Sequence, residues 1–580
     1  MTIFKKLSWF FKEQKQSYFK GIFFLLMVAL ANIIPPKVVG IIIDLIQHHQ
    51  LKPTTLSGWL LLLIIVAVFQ YLCRFSWRKY IWGSAALLEK KLRGRLMDHY
   101  LKMDENFYQQ HRIGDLMAHA TNDVNAVQEV AGYGILTLAD SLITGGTTLA
   151  AMIFLVDWRL TLIAILPLPL LTLLSSKLGG KIHQAYDDSQ AAFSRINNKT
   201  QESIQGIQVI RTLGQEKEDL ADFKKQVNEV IQTNQKAYRL DALFDPLTSL
   251  IIGLAYVMTI IIGGMMVLKQ TISIGQLVSF IAYIGNLIWP MFAIGGLFNV
   301  IELGSASYDR IERLLRIKSQ ITELQGAITT PPQGELKFAI SEFSYSRAKQ
   351  PALIDLAFSL KNGQTLGIVG PTGAGKSTLL QLLVRRFDNY HGKITYGGID
   401  IRDYSLDSYL PAIGYVPQIS LLFSMSIADN IRFAKPTASQ AEIERASSLA
   451  GLQTDILSFP AGFKTQVGEQ GITLSGGQKQ RLSIARAILL NPELLILDDA
   501  LSAVDAKTEQ QILQNLKSIR QNKTTIIAAS RLSSVAAADK IIVLDHGRIV
   551  QQGQHQALIS QAGWYQRTFQ IQQKKVLSGD

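Results

Sequence analysis

Six long apolar runs constrain the fold of this 580-residue chain more than any other feature of its sequence. Each approaches or exceeds the roughly 20 apolar residues that a helix needs to cross a bilayer core. The runs lie at about 21–46, 59–82, 134–156, 160–178, 247–268 and 274–301. Buried core helices are the alternative, but six consecutive runs of this length are not expected in a soluble domain of this size. We therefore predict six transmembrane helices, the first kinked at Pro35 and Pro36.

The segments between the runs predict how the helices are oriented. Three connections are short and carry few cations: 47–58, 157–159 and 268–273. The stretches 83–130 and 179–245 are long, polar and rich in Lys and Arg. By the positive-inside rule, these two stretches and both termini face the cytoplasm. No tight break interrupts the helical spacing of the two long stretches. We therefore expect these stretches to be cytoplasmic extensions of the membrane helices.

The first 20 residues combine bulky apolar side chains with five lysines. This pattern predicts an interfacial helix whose lysines face lipid headgroups, and it lacks the small-residue cleavage site of a signal peptide. The net charge of +13 is explained by membrane lipids as partners, so we expect no nucleic-acid partner. Cys73 is the single cysteine of the sequence, which excludes a disulfide within the chain.

After about residue 330 the sequence is typical of a soluble α/β domain, and its first motif is a phosphate-binding loop. A short apolar strand, Leu366 to Val369, precedes the sequence GPTGAGKST and a helix. In such a loop, backbone N–H groups and the helix N-terminus surround phosphate oxygens, the lysine reaches the β and γ phosphates, and the hydroxyl binds Mg²⁺. We therefore predict ATP and Mg²⁺ as cofactors. The predicted binding residues are Gly370, Pro371, Thr372, Gly373, Ala374, Gly375, Lys376, Ser377 and Thr378.

Two further motifs follow in an order that P-loop enzymes do not generally share. The sequence LSGGQ at 474–478 precedes an amphipathic helix, and the aliphatic strand 494–497 ends in Asp498, a Walker B carboxylate. This order resembles the ATP-binding cassette (ABC) family, and six spans followed by one cassette resemble an ABC exporter half-transporter. The resemblance covers essentially the whole chain.

The resemblance implies a fold and a division of the chain. The fold is an α-helical membrane domain of the type IV exporter fold, followed by an α/β P-loop ABC nucleotide-binding domain. The implied parts are an elbow helix (1–20), a transmembrane domain (21–320) with coupling helices near 103–115 and 205–215, a linker (321–335), a cassette (336–570) and a polar tail (571–580). The implied location is the bacterial plasma membrane, with the cassette in the cytoplasm.

The resemblance also implies roles for individual residues. Tyr345 would stack on adenine, while Gln418, Ser377 and Asp498 would hold Mg²⁺, the carboxylate through its water shell. Family members dimerise head to tail, so the signature residues and the D-loop aspartate would complete the ATP site of a second subunit. These residues are Leu474, Ser475, Gly476, Gly477, Gln478 and Asp505.

Two positions depart from the family pattern. Asp499 follows Asp498 where competent cassettes have a glutamate that polarises the attacking water, and its carboxylate is about 1 Å or more short of that place. Ser530 occupies the position of the switch-loop histidine and cannot supply charge to the γ-phosphate. The sequence therefore predicts a degenerate site that binds ATP but hydrolyses it poorly. An intact signature then favours a heterodimer with a subunit that carries the consensus Glu and His, as in heterodimeric bacterial multidrug exporters. Tolerated variants in a working homodimer are the alternative.

The transported substrate is less constrained by the sequence. We expect amphipathic small molecules, as in multidrug efflux; a lipid exporter of the same fold and an ATP-sensing regulatory subunit are the alternatives. Asp140 in the third run is either a substrate contact or a solvated helix residue. The aromatic residues of the sixth run either line an apolar cavity or pack: Trp289, Phe292 and Phe298.

Overall fold

The structure is a computed structural model that describes residues 2–346, 348–468 and 474–578, and it divides into two units. The first, called here the helical unit, comprises Met1–Leu101 and Ile113–Ile317. The second, the α/β unit, comprises Lys102–Arg112 and Lys318–Asp580. The short segment Lys102–Arg112 thus belongs with the α/β unit although its sequence neighbours do not.

Helices make up almost all of the helical unit. Together with α6, which belongs to the α/β unit, they are α1 (Thr2–Lys6), α2 (Ser8–Glu13), α3 (Lys15–Ala31), α4 (Ile34–Gln47), α5 (Pro53–Leu101), α6 (Glu105–Gln110), α7 (Ile113–Ala118), α8 (Val124–Glu129), α9 (Ile135–Leu155), α10 (Trp158–Ile165), α11 (Pro169–Gln205), α12 (Ile207–Leu213), α13 (Glu216–Asp241), α14 (Phe244–Leu268) and α15 (Ile274–Leu315). Two π-helical turns, His119–Asp123 and Val130–Gly134, join α7 to α8 and α8 to α9.

The described residues contain six helical stretches long and apolar enough to cross a membrane. They are Lys15–Gln47, Pro53–Leu101, Ile113–Leu155, Trp158–Gln205, Glu216–Leu268 and Ile274–Leu315. The prediction of six transmembrane helices is therefore confirmed. The first stretch is interrupted between Ala31 and Ile34, immediately before the two prolines, because a proline ring cannot continue the hydrogen-bond ladder of a helix.

The first and last stretches cross closely near the short connection 268–273. A Cβ atom on Gly40 would lie 2.4 Å from the carbonyl oxygen of Gly275, so only glycine fits at this crossing. The Asp44 carboxylate accepts hydrogen bonds from the Gly275 N–H at 2.7 Å and the Ser273 hydroxyl at 2.6 Å. Backbone packing and a charged hydrogen-bond acceptor therefore fix α4 against the start of α15.

The N-terminal helices contact other parts of the helical unit. Three apolar residues on one side of them are fully buried within the helical unit: Ile3, Leu7 and Phe10. Arg95 lies over the Trp9 ring at 4.1 Å, and Lys6 pairs with Asp309 at 2.5 Å. These contacts anchor the N-terminal helices on α5 and α15, and their interfacial position stays a prediction.

The α/β unit contains twelve strands and nine further α-helices in its described residues. The strands are β1 (Leu336–Phe343), β2 (Leu353–Leu360), β3 (Thr365–Val369), β4 (His391–Tyr396), β5 (Ile399–Asp400), β6 (Ile413–Val416), β7 (Met425–Ser426), β8 (Gln466–Val467), β9 (Leu494–Asp498), β10 (Thr524–Ala528), β11 (Lys540–Asp545) and β12 (Arg548–Gly553). The helices are α16 (Lys376–Leu383), α17 (Leu406–Tyr409), α18 (Ile427–Arg432), α19 (Gln440–Leu449), α20 (Gln453–Ser458), α21 (Gly476–Leu490), α22 (Ala506–Ile519), α23 (His555–Ser560) and α24 (Trp564–Ser578).

One six-stranded sheet positions the chemistry. Its order is β12-β11-β3-β10-β9-β6, and every neighbouring pair except β11 and β12 is parallel. The aliphatic residues of β9 and β10 are buried, as expected for a parallel sheet covered on both faces. The carboxyl ends of β3, β9 and β10 therefore lie side by side, and each leads into a predicted motif.

The C-terminal helix includes most of the residues that are predicted as a polar tail. Residues 571–580 are expected to form a polar tail, whereas α24 continues to Ser578. Its first half is held by apolar packing, because Tyr565 is fully buried and its hydroxyl lies 2.7 Å from His555 Nδ1. The polar residues that follow are thus the continuation of an anchored helix.

Candidate nucleotide-binding site

The P-loop forms at the end of β3, where the backbone turns back on itself before α16. Gly370, Gly373 and Gly375 have φ values of 150°, 83° and 99°, which favour glycine. A Cβ atom on Gly370 would lie 2.0 Å from the carbonyl oxygen of Leu544, so no other residue fits there. The local sequence thus produces a tight loop that leads directly into α16, the arrangement that binds phosphate groups.

A cavity of 760 Å³ opens around this loop and contains most of the predicted nucleotide-binding residues. Its lining includes the predicted residues Tyr345, Thr372, Gly373, Ala374, Gly375, Lys376, Ser377, Thr378, Gln418, Asp498, Asp499 and Ser530. Gly370 and Pro371 also belong to the loop. Their carbonyl oxygens accept hydrogen bonds from Lys376 Nζ at 2.8 and 3.0 Å. Burial lowers the pKa of Lys376, while the carboxylates of Asp499 and Asp498 act in the opposite direction.

The predicted magnesium ligands converge on one wall of the cavity. The Ser377 hydroxyl donates to Asp498 Oδ1 at 2.9 Å, and Gln418 lines the same cavity. Burial raises the pKa of Asp498 above that of an ordinary carboxyl group, although its hydrogen bonds lower it. A hydroxyl, an amide and a carboxylate supply the hard oxygen ligands that Mg²⁺ prefers, with space left for phosphate and water.

Asp499 and Ser530, the two departures from the family pattern, contact each other. Both the backbone N–H and the hydroxyl of Ser530 donate to Asp499 Oδ1, at 3.2 and 3.0 Å. The backbone of Asp499 has a positive φ of 48°, and its N–H donates to the Ala528 carbonyl at 2.8 Å. The adjacent ends of β9 and β10 thus hold one oxygen of this carboxylate against the serine.

Tyr345 forms another wall of the cavity. Its hydroxyl lies 2.9 Å from Thr378 Oγ1, and its ring packs edge-on against Phe343 and Phe387 with centroids 5.1 and 5.4 Å away. Burial raises the pKa of the phenol, so the ring is neutral at physiological pH. A fixed neutral aromatic ring at this position suits stacking on a nucleobase.

The signature residues form a separate feature, outside the cavity lining as far as the chain is described. Ser475 caps α21: its hydroxyl accepts from Gln478 N–H at 3.3 Å, and Gln478 Oε1 accepts from the Ser475 N–H at 3.0 Å. Asp505 caps α22 through the Thr508 N–H, and this hydrogen bond lowers its pKa. Ser475, Gly476 and Asp505 are exposed, so this surface is open to another molecule.

Several residues near the site are not predicted from the sequence. Tyr415 donates to Asp498 Oδ2 at 3.1 Å, and the turn between β11 and β12 brings His546 and Arg548 to the rim of the cavity. Gly547 in this turn has a φ of 73° and donates its N–H to the Ala374 carbonyl at 3.1 Å. An Asp-His-Gly sequence signals a turn, but nothing local indicates that it packs on the P-loop.

The short helix α6 lies in the first stretch predicted for a coupling helix. The Asp104 carboxylate caps it through the Phe107 N–H at 3.0 Å. Asn106 donates to Gln320 Oε1 at 2.8 Å and accepts from the Ser346 hydroxyl at 2.9 Å. Because Ser346 follows Tyr345, α6 contacts the loop that carries the aromatic wall of the cavity.

The short helix α12 lies in the second predicted stretch, in the helical unit. Each residue from Ile207 to Leu213 is at least partly exposed, including the apolar side chains of Ile207, Val209 and Leu213. A row of exposed apolar side chains on a short helix is typical of a contact surface.

Comparisons with known proteins agree with these features. A family model described as the ABC transporter transmembrane region matches residues 18–291, and one described as ABC transporter matches residues 353–502. The chain is 42% identical to the multidrug resistance-like ATP-binding protein MdlA of Escherichia coli (strain K12), over 100% of this chain and 98% of that protein. It is 41% identical to the probable multidrug resistance ABC transporter ATP-binding/permease protein YheI of Bacillus subtilis (strain 168), over 99% of this chain and 98% of that one.

The fold is also that of a solved exporter. The structure of a bacterial Atm1-family ABC exporter with ATP bound matches with a TM-score of 0.79 and 24% identity, covering 96% of this chain and 99% of that one. The predicted fold class is thereby confirmed. The chain belongs to the ABC transporter family: it is a multi-pass plasma-membrane exporter whose six transmembrane helices are fused to a cytoplasmic ATP-binding cassette.

Proposed function

We propose that this chain is one subunit of a heterodimeric ATP-driven efflux pump for amphipathic compounds, and that its own Walker site binds ATP but hydrolyses it poorly. The observation that carries the proposal is the contact between Asp499 and Ser530 at the wall of the cavity. The names of the two relatives above, which refer to multidrug resistance, support the substrate class.

ATP binding is supported by the residues that surround the P-loop. Lys376 is placed to bind phosphate oxygens, and Tyr345 to stack on the base. Ser377, Gln418 and Asp498 would hold Mg²⁺, which when bound neutralises charge on the phosphates. These binding residues match the family pattern.

Weak hydrolysis is supported by the state of the Asp499 carboxylate. A glutamate at this position would reach further into the cavity, whereas the shorter aspartate accepts two hydrogen bonds on one oxygen. These hydrogen bonds hold the Asp499 carboxylate at the cavity wall and not at the place where the family's glutamate orients water. Ser530 is uncharged, so it does not replace the positive group that would stabilise the γ-phosphate in the transition state.

A heterodimer is supported by the intact signature surface. Ser475 and Gly476 begin a helix of 15 residues, and they are exposed. The N-terminus of such a helix binds anions, so this surface suits the γ-phosphate of ATP held by another chain. Two copies of this chain would place an Asp499–Ser530 pair at both sites. A partner with the consensus glutamate and histidine would provide one competent site, and the apolar side of α12 would contact that partner.

The test is to purify this chain from its native membrane, identify its subunits and reconstitute the complex in liposomes. We expect a different ABC half-transporter at a one-to-one ratio and ATP-dependent movement of a cationic amphipathic dye. A homodimer that moves the dye would contradict the heterodimer. Movement of a labelled phospholipid without movement of the dye would instead identify a lipid exporter.

A further inference from the structure

The C-terminal helix α24 reaches the loop that carries Ser530. The side-chain amide of Gln572 donates through Nε2 to the Ser530 carbonyl at 3.1 Å. Its Oε1 accepts from the Leu532 N–H at 3.0 Å. A single side chain thus bonds the backbone on both sides of Arg531, and we refer to this pair of hydrogen bonds as the Gln572 clasp.

The clasped loop is attached to the cavity on its other side. The Ser530 N–H and hydroxyl hold Asp499, and both residues line the cavity. The clasp therefore bonds a residue of the cavity wall directly. It holds the carbonyl of Ser530 while the N–H of the same residue binds the carboxylate.

Arg531 anchors the same loop in a third direction. Its guanidinium donates to the Val504 carbonyl at 3.0 Å and to the Ser502 carbonyl at 3.1 Å. It also pairs at 3.2 Å with Glu509, a buried carboxylate on α22. These contacts hold the centre of the loop, and Gln572 bonds the backbone on either side of it, at Ser530 and Leu532.

Apolar side chains dock α24 itself, which separates the clasp from the anchoring of the helix. Tyr565 is fully buried in the core of the α/β unit, and Trp564 and Phe569 pack against that core. Gln572 lies nearly one turn beyond Phe569. Removing its amide should therefore release the loop and leave the helix in place.

We propose that Gln572 is a positioning residue of the nucleotide site: its clasp fixes the Ser530 loop against Asp499 and slows the release of ATP from this chain's P-loop. The inference rests on the proposed ATP binding at this site. It gives the C-terminal helix a part in nucleotide retention.

The experiment uses the full complex with the P-loop lysine of the partner replaced, so that retained ATP reports on this chain's site. Gln572→Met removes both hydrogen bonds at nearly constant side-chain length. Gln570→Met on the same helix is the matched control, since Gln570 is exposed and no side-chain hydrogen bond joins it to the described residues. The release rate of radiolabelled ATP and the hydrogen exchange of the Leu532 amide are measured in both variants.

We expect Gln572→Met to release ATP roughly threefold to tenfold faster and to expose the Leu532 amide, as the loss of two hydrogen bonds predicts. Gln570→Met should match the wild type. Gln572→Glu keeps the acceptor for Leu532 but places a carboxylate oxygen against the Ser530 carbonyl, so it should release ATP at least as fast as Gln572→Met. Exchange within 564–569 should not change in any variant.

Two results would overturn the inference. One leaves the proposed function in place, and the other contradicts the proposed function as well. If the wild type retains ATP at this site and Gln572→Met releases it at the same rate, the clasp has no part in retention and the proposed function stands. If the wild type retains no ATP at this site, the inference and the proposed function both fail.

Discussion

At the scale of single residues, the site combines buried polar groups that favour ligand binding over stability. Asp498 is almost completely buried, with hydrogen bonds from Ser377 and Tyr415. Burial raises its pKa in the folded state, so ionisation of this carboxyl group opposes folding. Lys376 is the complementary case, because burial lowers its pKa. In the proposed function, bound Mg²⁺ and phosphates would offset the cost of burying these two charges.

This arrangement predicts opposite effects of Asp498→Asn on stability and on binding. Without nucleotide, the variant should melt at the same temperature as the wild type or higher, since the cost of burying a carboxylate at neutral pH is removed. Thermal melting with and without Mg²⁺ and ATP measures both effects. The stabilisation by ATP at this site should disappear in the variant, and its persistence would contradict the role assigned to Asp498.

Some residues of the site can be predicted from the sequence, and others cannot. The P-loop residues and Asp498 belong to contiguous motifs with a fixed local geometry, so they could be placed from spacing alone. The contact between Asp499 and Ser530 could not, because it depends on β9 and β10 being neighbours in the sheet. Gln572 and Tyr415 carry no local signal, since their partners are distant in sequence.

At the scale of secondary-structure elements, long apolar runs predict the membrane spans well. The amphipathic pattern of α1 and α2 does not predict which parts of the molecule they contact. Six runs of bilayer length become six helical stretches because few other structures satisfy the backbone in lipid. The N-terminal residues also form helices, and contacts with Arg95 of α5 and Asp309 of α15 hold them, while their interfacial position stays a prediction. An amphipathic pattern shows which side is apolar without showing what covers it.

The crossing of α4 and α15 predicts a severe effect of Gly275→Val. The added Cβ would lie 2.0 Å from the carbonyl oxygen of Gly40, where backbone leaves no room to adjust. We expect the free energy of unfolding to fall by about 3 kcal/mol or more, as for strong overpacking. Gly264→Val on α14 is the control, because its Cβ would meet open space. Melting in detergent compares the two, and equal melting temperatures would rule out a tight crossing.

The contact of α6 with the Tyr345 loop predicts an effect on transport. Asn106→Ala removes the hydrogen bond from Ser346, which joins α6 to that loop, and the hydrogen bond to Gln320, which joins α6 to the segment after α15. We expect transport to fall at least about fivefold, while ATP affinity at this site stays within about twofold. Gln109→Ala on the exposed side of the same helix should be silent. A parallel loss of ATP affinity in Asn106→Ala would show that α6 supports the site itself.

At the scale of the whole molecule, the proposed function gives the chain two surfaces for nucleotide. The cavity at the P-loop lacks the family's glutamate and histidine, whereas the exposed signature at the start of α21 matches the family pattern. Gln480 links the two regions: its amide donates to Ser502 at 3.1 Å and accepts from the Ala503 N–H at 2.9 Å, just after Asp499. A chain built this way is suited to holding one ATP and completing the hydrolytic site for another.

The most direct test is the ATPase activity of the purified complex after the partner's catalytic glutamate is replaced by glutamine. What remains is turnover at this chain's own site, and we predict it to be at least about a hundredfold below that of the unmodified complex. Adding Asp499→Glu together with Ser530→His to this chain should then restore measurable turnover. Residual activity close to half that of the unmodified complex would show two competent sites and contradict the account.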